Sequence, residues 1–483
     1  MDIERVAIIG AGPCGLAAAK YMVAEQKFKT ITIFEQRDQP GGVWNYTGDE
    51  GVNGGSSTPV PNARPGQAAQ QVGGTFVSPV YDSLETNIPN SMMQFCDFPF
   101  PQGTALFPTH HVVRGYLHQY AEELRPFMQF QSQVLDISLT QKDPKPEWTV
   151  TWQDLKSDQH LTAKFDAVLV ANGHHNEPRI PSIPGLDEWN RAYPGSVTHS
   201  ASYRRPAPFT NKKVIIIGHS ASGLDLAVQI SQVSKLPLLI SERTASTSTP
   251  LSPEQASKSQ FLPEITHFDA QTGLVHFANG HKEQDVDHII FCTGYHFSTP
   301  FLSSSSLHPP IITDGLKPHN LFHHVFYTAE PTLAFFGTPQ RIVPFPFSQA
   351  QGAWVARVFA GRLSLPPPSE MAQWVIDWNQ ARGEGGASSN TLVFPLDADY
   401  INDLYEISMG ATRKDGLENE GRGKTPPFWG ERERWTRERI VLIKKASQAL
   451  GSRRGEITQL EELGFSFDKR DQSQEQGAGR VKL

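Results

Sequence analysis

The stretch Gly10-Ala11-Gly12-Pro13-Cys14-Gly15 decides the fold, because it joins a short apolar run to a helical pattern. In such a turn Gly10 permits the tight bend, Gly12 lets the backbone approach a pyrophosphate, and Gly15 allows the helix to pack closely on the strand. The helix N-terminus then offers free N–H groups and a positive dipole end to the phosphates. The sequence therefore predicts a dinucleotide-binding turn at the start of the chain.

A carboxylate completes this first unit. The apolar run Val6 to Ile9, the helical pattern from about Pro13 to Gln26 and the β-branched run Thr30 to Phe34 form a βαβ arrangement. Glu35 follows directly, about 20 residues after Gly15, the spacing at which an acidic side chain holds a ribose hydroxyl. A merely glycine-rich turn is the alternative interpretation.

A second turn of the same kind is Gly218-His219-Ser220-Ala221-Ser222-Gly223, with Ser in place of the middle glycine. It lies between the apolar run 214–217 and a helical pattern from about Ala221 to Val233. Arg243 lies about 20 residues after Gly223, the position that Glu35 has in the first unit. An arginine suits a 2′-phosphate that a carboxylate would repel, so this unit is expected to prefer NADPH over NADH. A solvated arginine after a strand is the alternative.

Two nucleotide sites, one with an acid and one with a base, favour FAD plus NADPH, although the residues alone leave open which site takes which. The three cysteines, Cys14, Cys96 and Cys292, form no C-x-x-C pair. This pattern argues against a flavin disulfide reductase and favours a reducing compartment. Dioxygen is then the expected electron acceptor.

The composition excludes several classes of protein. Lys and Arg number 43 against 50 Asp and Glu, which gives a net charge of −7 and argues against a dedicated nucleic-acid binder. No apolar run approaches the ~18 residues needed to cross a bilayer, and the N-terminus does not resemble a secretory signal. We expect a soluble, intracellular protein that acts on small molecules.

The remaining chain alternates regular elements with irregular connections. We predict a long loop over 48–74, a Ser/Thr-rich segment over 244–259, a serine run at 303–306 and a polar tail after about Lys469. Further strands are expected at 148–152, 167–170, 236–240 and 289–292. The last ~120 residues look mostly helical, for instance at 371–378 and 432–449.

One segment makes the chain resemble a known family. The stretch from Tyr193 to Tyr203 is similar to the F-x-G-x-x-x-H-x-x-x-(Y/F) motif that identifies flavin-containing monooxygenases, the class B flavoprotein monooxygenases, with Tyr193 where Phe is usual. The related Baeyer–Villiger enzymes usually end this motif in Trp, whereas here Tyr203 is followed by Arg204. The chain resembles a soluble member of the fungal or yeast kind.

Other segments resemble the family in the same order. Residues 39–44 look like the glycine pair that packs on FAD, and 291–295 look like the hinge between the NADPH and FAD domains. Residues 81–89 and 97–101 are similar to the active-site segment, with Asn90 where Lys is common. Residues 344–351 resemble a later FAD-domain segment, with Gln349 where Glu is expected.

The resemblance implies an α/β fold with two Rossmann-like dinucleotide-binding domains, the NADPH domain inserted in the FAD domain, and a helical C-terminal segment. The expected boundaries are 1–180 for the first part of the FAD domain, 181–295 for the NADPH domain, 296–465 for the second FAD part with C-terminal helices, and 466–483 for a polar tail.

The resemblance also implies a reaction. NADPH reduces FAD, O2 adds to give a C4a-(hydro)peroxyflavin, and a soft nucleophile (N or S) of a small molecule takes one oxygen. Asn87 is the implied catalytic residue, hydrogen-bonding near the flavin edge; capping of a turn before Pro89 is its alternative role. No metal is expected. The implied cofactor-binding residues are Gly10, Gly12, Pro13, Cys14, Gly15, Glu35, Gln36, Gly42, Val43, Trp44, Thr86, Asn87, Val134, Tyr203, Gly218, Ser220, Ala221, Ser222, Gly223, Ser241, Arg243, Thr293, Gly294 and Gln351.

Alternatives remain open at this point. They are Baeyer–Villiger or hydroxylamine-forming oxygenation, an NADPH oxidase, and a non-catalytic NADPH-binding regulator. His199 is either structural or functional. A homodimer is possible. The C-terminal Arg480-Val481-Lys482-Leu483 resembles a peroxisomal signal poorly, so the cytoplasm is the predicted location.

Overall fold

The computed structural model describes residues 2–48, 76–141, 145–243, 253–302, 307–383 and 387–468. The predicted loop after Gly48, the serine run, the first part of the Ser/Thr-rich segment and the polar tail with its C-terminal motif lie outside the described residues. The chain divides into two compact units. The first unit consists of Met1–Asn45, Glu85–Gly173 and Phe297–Leu483, and the second of Tyr46–Leu84 and His174–His296.

In the described part of the chain the strands are β1 (Arg5–Ile9), β2 (Thr30–Phe34), β3 (Met128–Gln129), β4 (Ser132–Gln141), β5 (Glu147–Asp154), β6 (Gln159–Phe165), β7 (Ala167–Val170), β8 (Glu177–Pro178), β9 (Val197–His199), β10 (Val214–Ile217), β11 (Leu238–Ser241), β12 (Ser259–Leu262), β13 (Ile265–Asp269), β14 (Leu274–Phe277), β15 (Lys282–Gln284), β16 (His288–Phe291), β17 (Tyr295–His296), β18 (Leu321–Phe322), β19 (Phe326–Tyr327) and β20 (Leu333–Phe335). The α-helices are α1 (Pro13–Ala24), α2 (Asn90–Met93), α3 (His110–Tyr120), α4 (Leu186–Ala192), α5 (Ala221–Ile230), α6 (Pro253–Lys258), α7 (Pro344–Phe359), α8 (Pro368–Ala381), α9 (Leu396–Met409) and α10 (Glu431–Ala449).

The first unit is built on a seven-stranded sheet of order β18-β19-β20-β7-β1-β2-β3. Strand β1 pairs in parallel with β2 and β7 at its centre. Its residues 6–9 are all buried apolar side chains, as expected for a strand covered on both faces. A separate antiparallel sheet, β4-β5-β6, carries Trp148, Val150 and Trp152 on its buried face.

Helix α1 covers this sheet through small residues. Ala17, Ala18 and Ala19 are fully buried, and a Cβ at Gly352 of α7 would lie 3.3 Å from the Ala17 carbonyl oxygen. The small residues Gly352, Ala17 and Ala18 let α1 and α7 approach closely at this crossing, where the Tyr21 ring also packs against Gly352. The turn that precedes α1 is thereby held between the sheet and α7.

The second unit contains a five-stranded parallel sheet of order β12-β11-β10-β16-β9, with α5 following the central strand β10. Strand β10 is Val-Ile-Ile-Ile and is buried on both faces. An antiparallel sheet, β13-β14-β15, and the short pair β17-β8 complete the unit. Each unit thus contains a parallel βαβ core, and the predicted α/β fold is confirmed.

The predicted elements are found with shifted ends. The first helix ends at Ala24 instead of Gln26, because the backbone of Gln26 takes a left-handed conformation (φ 48°) that an α-helix does not accommodate. The helix predicted over 221–233 ends at Ile230. No helix of the described residues is both long and apolar enough to cross a membrane.

Candidate functional site

Two of the three glycines in the first turn are required by the protein's own packing. A Cβ at Gly15 would lie 1.9 Å from the Gly10 carbonyl oxygen, and one at Gly10 would lie 2.6 Å from the Ala171 carbonyl oxygen. Gly10 also has φ +105°, a conformation that favours glycine. These contacts bring the first turn of α1 against the ends of β1 and β7.

Gly12 has a different environment. A Cβ there would meet only the Gly42 Cα, at an ordinary 3.6 Å, so packing within the chain does not demand glycine. Gly12 is the N-cap of α1 and contributes no side-chain cap, and no acidic residue occupies the first turn. The first N–H groups of the helix are therefore suited to a phosphate group, as an FAD pyrophosphate would need.

A glycine pair lies over this turn. The Gly41 N–H donates to the Ala11 carbonyl oxygen at 2.9 Å, and a Cβ at Gly42 would lie 3.0 Å from the Gly12 Cα. A short 3₁₀ helix, Gly42–Trp44, begins there. The predicted contact residues Val43 and Trp44 are thus carried next to the turn by backbone contacts.

Glu35 is fixed at the end of β2 beside the turn. Its Oε2 accepts the Ala11 N–H at 2.9 Å and its Oε1 accepts the Arg37 N–H at 2.9 Å. The residue is only 4% exposed. Because each carboxylate oxygen has a second lone pair, Glu35 can still accept a ribose hydroxyl. The residues present therefore fit FAD, and Gln36 follows at the same strand end, partly exposed.

Helix α7 contacts the first glycine turn at Cys14. The Ser348 hydroxyl donates to Cys14 Sγ at 3.0 Å. Gln351 is fully buried and uses both ends of its amide within the protein: Oε1 accepts the Gly337 N–H at 2.9 Å and Nε2 donates to the Tyr400 hydroxyl at 3.1 Å. These bonds hold α7 to its neighbours, and a contact between Gln351 and FAD stays a prediction.

Asn87 lies on a loop of the first unit, between Thr86 and Asn90, which are both hydrogen-bonded within the protein. The Thr86 N–H donates to the Pro108 carbonyl oxygen at 3.0 Å, and the Thr86 hydroxyl donates to the Ile88 carbonyl oxygen at 2.9 Å. The Asn90 amide donates to the carbonyl oxygens of residues 104 and 105, each at 3.1 Å.

The Asn87 side chain itself is exposed and forms no hydrogen bond with any described residue. The alternative that Asn87 caps the turn before Pro89 is therefore wrong, because Thr86 makes the local bond. The hydrogen bonds of Thr86 and Asn90 fix the backbone on either side of Asn87, and its exposed amide is available to a ligand. Val134 lies on β4, in the same apolar core as Phe34 and Trp152, and its contact with a cofactor stays a prediction.

The second glycine turn repeats the first closely. A Cβ at Gly223 would lie 2.0 Å from the Gly218 carbonyl oxygen, and one at Gly218 would lie 2.8 Å from the Cys292 carbonyl oxygen. Ser220 is the N-cap of α5 but makes no side-chain cap. Ser220, Ala221 and Ser222 are all exposed. This helix end is likewise suited to the phosphates of a dinucleotide.

The structure corrects the position assigned to Arg243. The Gly10 N–H donates to the Phe34 carbonyl oxygen and the Gly218 N–H to that of Ser241, so the residues after these strand ends correspond. Glu242, not Arg243, is therefore the counterpart of Glu35. A count of 20 residues from the third glycine overshoots by one, because the second unit is one residue shorter between that glycine and its strand end.

Glu242 could have been found from its place directly after the apolar run of β11. Its Oε2 lies 3.7 Å from Nδ1 of His219, the second residue of the turn. Burial lowers the pKa of His219, and the nearby Glu242 opposes that shift. Arg243, one residue further, is exposed, so a carboxylate and a guanidinium follow β11 side by side.

His199 has a structural role in the second unit. Its Nδ1 accepts the Ala201 N–H at 3.1 Å and so caps the 3₁₀ helix Ser200–Ser202. Its ring contacts that of Tyr295, with centroids 5.1 Å apart. Burial lowers the pKa of His199 to about 4, against a backbone contact with Gly294 that raises it. The imidazole is therefore neutral at pH 7, and its Nδ1 can accept the backbone N–H of Ala201.

The other predicted residues of this unit are also tied to the protein. The buried Tyr203 donates its hydroxyl to Gln229 Oε1 at 3.0 Å. The Thr293 hydroxyl donates to the Arg179 carbonyl oxygen, and the Gly294 carbonyl oxygen accepts the Arg179 N–H at 2.9 Å. Ser241 donates to the Pro263 carbonyl oxygen at 3.0 Å. Contacts between these residues and NADPH stay predictions.

Comparison with known families agrees with this architecture. The family described as flavin-binding monooxygenase-like matches residues 70–249 and 258–418, more than half of the chain. An NAD(P)-binding Rossmann-like domain matches residues 8–59, which include the first glycine turn.

Individual relatives cover most of the chain. Flavin-containing monooxygenase FMO GS-OX-like 9 of Arabidopsis thaliana is 33% identical over 419 residues, which cover 84% of this chain and 86% of the relative. FMO GS-OX-like 2 of the same plant is 35% identical, with 77% of each chain covered.

Among solved structures, S-allyl-L-cysteine S-oxygenase from Allium sativum has a TM-score of 0.76 at 30% identity and covers 96% of this chain and 98% of its own. Tmm from Pelagibacter sp. strain HTCC7211 shares the fold, with a TM-score of 0.70 at 22% identity over 92% of this chain and 91% of its own. The chain therefore belongs to the flavin-binding monooxygenase-like family of oxidoreductases, with FAD and NADPH as its cofactors.

Proposed function

We propose that the protein transfers one oxygen atom from O2 to a nucleophilic sulfur or nitrogen of a small molecule, at the expense of NADPH. For a thioether the reaction balances as NADPH, H⁺, O2 and the thioether giving NADP⁺, water and the sulfoxide. The S-oxygenase relative, 30% identical over nearly the whole chain, supports sulfur as the first acceptor to test.

This function needs a site for FAD, a site for NADPH and a place for oxygen transfer. In the first unit, Gly12, the N-terminus of α1 and Glu35 would hold the pyrophosphate and a ribose of FAD. In the second unit, the N-terminus of α5 would hold the phosphates of NADPH. When bound, FAD supplies the redox chemistry by accepting hydride from NADPH and passing electrons to dioxygen.

The exposed Asn87 amide is the observation that carries the proposal. It can donate and accept hydrogen bonds without adding a charge, and the bonds of Thr86 and Asn90 keep its loop in place. A neutral amide beside the reacting oxygen would stabilise the charge that develops there. The remaining task of the protein is to exclude water from that place.

Purification tests the cofactor part of the proposal. We expect a yellow protein with about one non-covalent FAD per chain, because the first turn and Glu35 form a complete nucleotide site. The flavin absorbance relative to protein, before and after incubation with FAD, gives this ratio. A correctly folded preparation that remains colourless after reconstitution would contradict it.

A substrate screen tests the reaction. Sulfides, thiols, amines and ketones are supplied with NADPH, and both product and hydrogen peroxide are measured against NADPH consumed. Sulfoxides or N-oxides in proportion to NADPH support the proposal. Esters from ketones would instead indicate a Baeyer–Villiger enzyme, and hydrogen peroxide alone would indicate an oxidase.

The residues after β11 yield a prediction on electron-donor choice. Arg243→Ala is expected to raise the KM for NADPH and leave that for NADH nearly unchanged, at a cost of about 1.5–3 kcal/mol for one charged hydrogen bond. Glu242→Gln is expected to act in the opposite direction, because the carboxylate repels a 2′-phosphate.

Steady-state kcat/KM values for both donors decide this prediction. The matched pair of variants changes one charge each, one residue apart, so any general effect on the strand end appears in both. Equal effects of Arg243→Ala on NADPH and NADH would show that Arg243 does not contact the 2′-phosphate.

A further inference from the structure

The C-terminal helix α10 reaches the loop that carries Asn87. Lys444 Nζ donates to the Thr86 carbonyl oxygen at 2.8 Å and lies 3.5 Å from Glu85 Oε2. Arg454, just after the helix, places Nε 3.0 and 2.9 Å from the two oxygens of Glu85. All these groups belong to the first unit. We call the set Glu85, Lys444 and Arg454 the C-terminal clamp.

The clamp acts on the peptide bond that leads into Asn87. The carbonyl held by Lys444 belongs to Thr86, and the N–H of the same residue is held by the Pro108 carbonyl oxygen. Both backbone groups of Thr86 are therefore fixed from outside the loop. Because Lys444 is charged and its side chain is only 13% exposed, its hydrogen bond to the Thr86 carbonyl oxygen is stronger than one between two neutral groups.

An apolar cluster lies beside the clamp and joins the same two segments of the chain. Leu106, Phe107, Ile443 and Ile457 form a small core between the loop region and the C-terminal segment. The Lys444 ammonium lies 4.3 Å from the centre of the Phe107 ring, and the Leu106 N–H donates to the Ile457 carbonyl oxygen at 2.7 Å.

The other half of α10 is anchored independently. Arg434 contacts Asp399 Oδ1 at 2.8 Å and Arg437 contacts Asp397 Oδ2 at 2.6 Å. Both carboxylates lie on α9 and are at most 1% exposed. Helix α10 thus runs from a fixed base on α9 to the backbone next to Asn87, and its two ends can be perturbed separately.

We propose that Lys444, supported by Glu85 and Arg454, is a positioning residue that holds the Asn87 amide in place for oxygen transfer. It acts through its bond to the Thr86 carbonyl oxygen. The inference rests on the proposed role of Asn87. Loss of the clamp would let the amide move, so that electrons from NADPH leave as hydrogen peroxide in place of product.

The test compares Lys444→Met with Lys444→Arg, which keeps the charge, and with Arg434→Met, which loosens the other end of α10. Amide hydrogen exchange of the segment 85–95 is followed in the FAD-loaded enzyme, together with product and hydrogen peroxide per NADPH. Glu85→Gln, which keeps shape and removes charge, replaces Lys444→Met if that variant does not fold.

In Lys444→Met we expect exchange in the segment to accelerate by about tenfold or more, the effect of losing a charged hydrogen bond, and the hydrogen peroxide share to rise. Lys444→Arg should restore both. Arg434→Met should lower thermal stability and leave the hydrogen peroxide share unchanged.

Two outcomes would overturn the inference: unchanged exchange in Lys444→Met, or faster exchange with an unchanged share of hydrogen peroxide. A wild-type enzyme that makes no product from any compound of the screen contradicts the proposed function instead. The exchange comparison then still decides whether Lys444 holds the loop.

Discussion

Gly15→Ala is expected to weaken FAD binding strongly, whereas Gly223→Ala is expected to weaken NADPH binding strongly and leave FAD in place. The added methyl groups would lie 1.9 Å from the Gly10 carbonyl oxygen and 2.0 Å from the Gly218 carbonyl oxygen. Backbone cannot yield at these distances without moving the helix end away from the phosphates. Overpacking alone costs about 1–3 kcal/mol, and the displaced phosphate contacts add to that loss.

Flavin absorbance per chain and the KM for NADPH are the measurements. We expect FAD affinity to fall by about 10²-fold or more in Gly15→Ala, corresponding to about 2.7 kcal/mol. We expect the KM for NADPH to rise by a similar factor in Gly223→Ala. Gly115→Ala on α3 is the control, because a Cβ there meets nothing within 4 Å.

The opposite pattern would contradict the assignment of the two turns. If Gly223→Ala lost FAD and Gly15→Ala kept it, the two nucleotides would have to exchange sites. Circular dichroism of each variant shows whether the fold is retained, so that loss of a cofactor is separated from loss of structure.

Both βαβ units could be predicted from the sequence because their signals are local. Runs such as 6–9 and 214–217 are short, apolar and followed directly by glycine turns, and each helix packs on its own strand. The prediction for Arg243 is wrong by one residue. Its distance from Gly223 puts Arg243 at the position equivalent to Glu35, whereas the end of the strand puts Glu242 at that position. Hydrogen bonds between strands, not spacing along the chain, fix that position.

The surroundings of Asn87 could not be predicted in this way. Lys444 contacts a carbonyl 358 residues away in the chain, and no periodicity in a single sequence relates such distant positions. The burial of the Gln351 amide is similar, since its partners Gly337 and Tyr400 lie on separate elements. The resemblance to a family singled out Asn87 and Gln351, but only the fold shows which groups surround them.

Asn87→Asp is expected to have the largest effect on oxygen transfer. A carboxylate there would repel the negative charge that accompanies the reduction of dioxygen, and it would lose the N–H donors of the amide. FAD binding and anaerobic reduction by NADPH should persist, since neither glycine turn is altered. Product formation should fall by ~10²-fold or more, the scale of losing one preorganised hydrogen bond.

Asn279→Asp is the matched control. It adds the same charge at an exposed turn of the second unit, where the Asn279 side-chain oxygen accepts the His281 N–H at 3.1 Å and a carboxylate can do the same. Because the change in net charge is identical, any difference between the variants is due to the place of Asn87.

The most direct test of the account is the amount of oxygenated product formed per NADPH oxidised, measured side by side in wild type, Asn87→Asp and Asn279→Asp. Wild type and Asn279→Asp are expected to form oxygenated product in proportion to the NADPH that they oxidise, whereas Asn87→Asp is expected to oxidise NADPH to NADP⁺ with O2 reduced chiefly to hydrogen peroxide. An Asn87→Asp enzyme that forms product from NADPH as efficiently as wild type would contradict the role assigned to this amide.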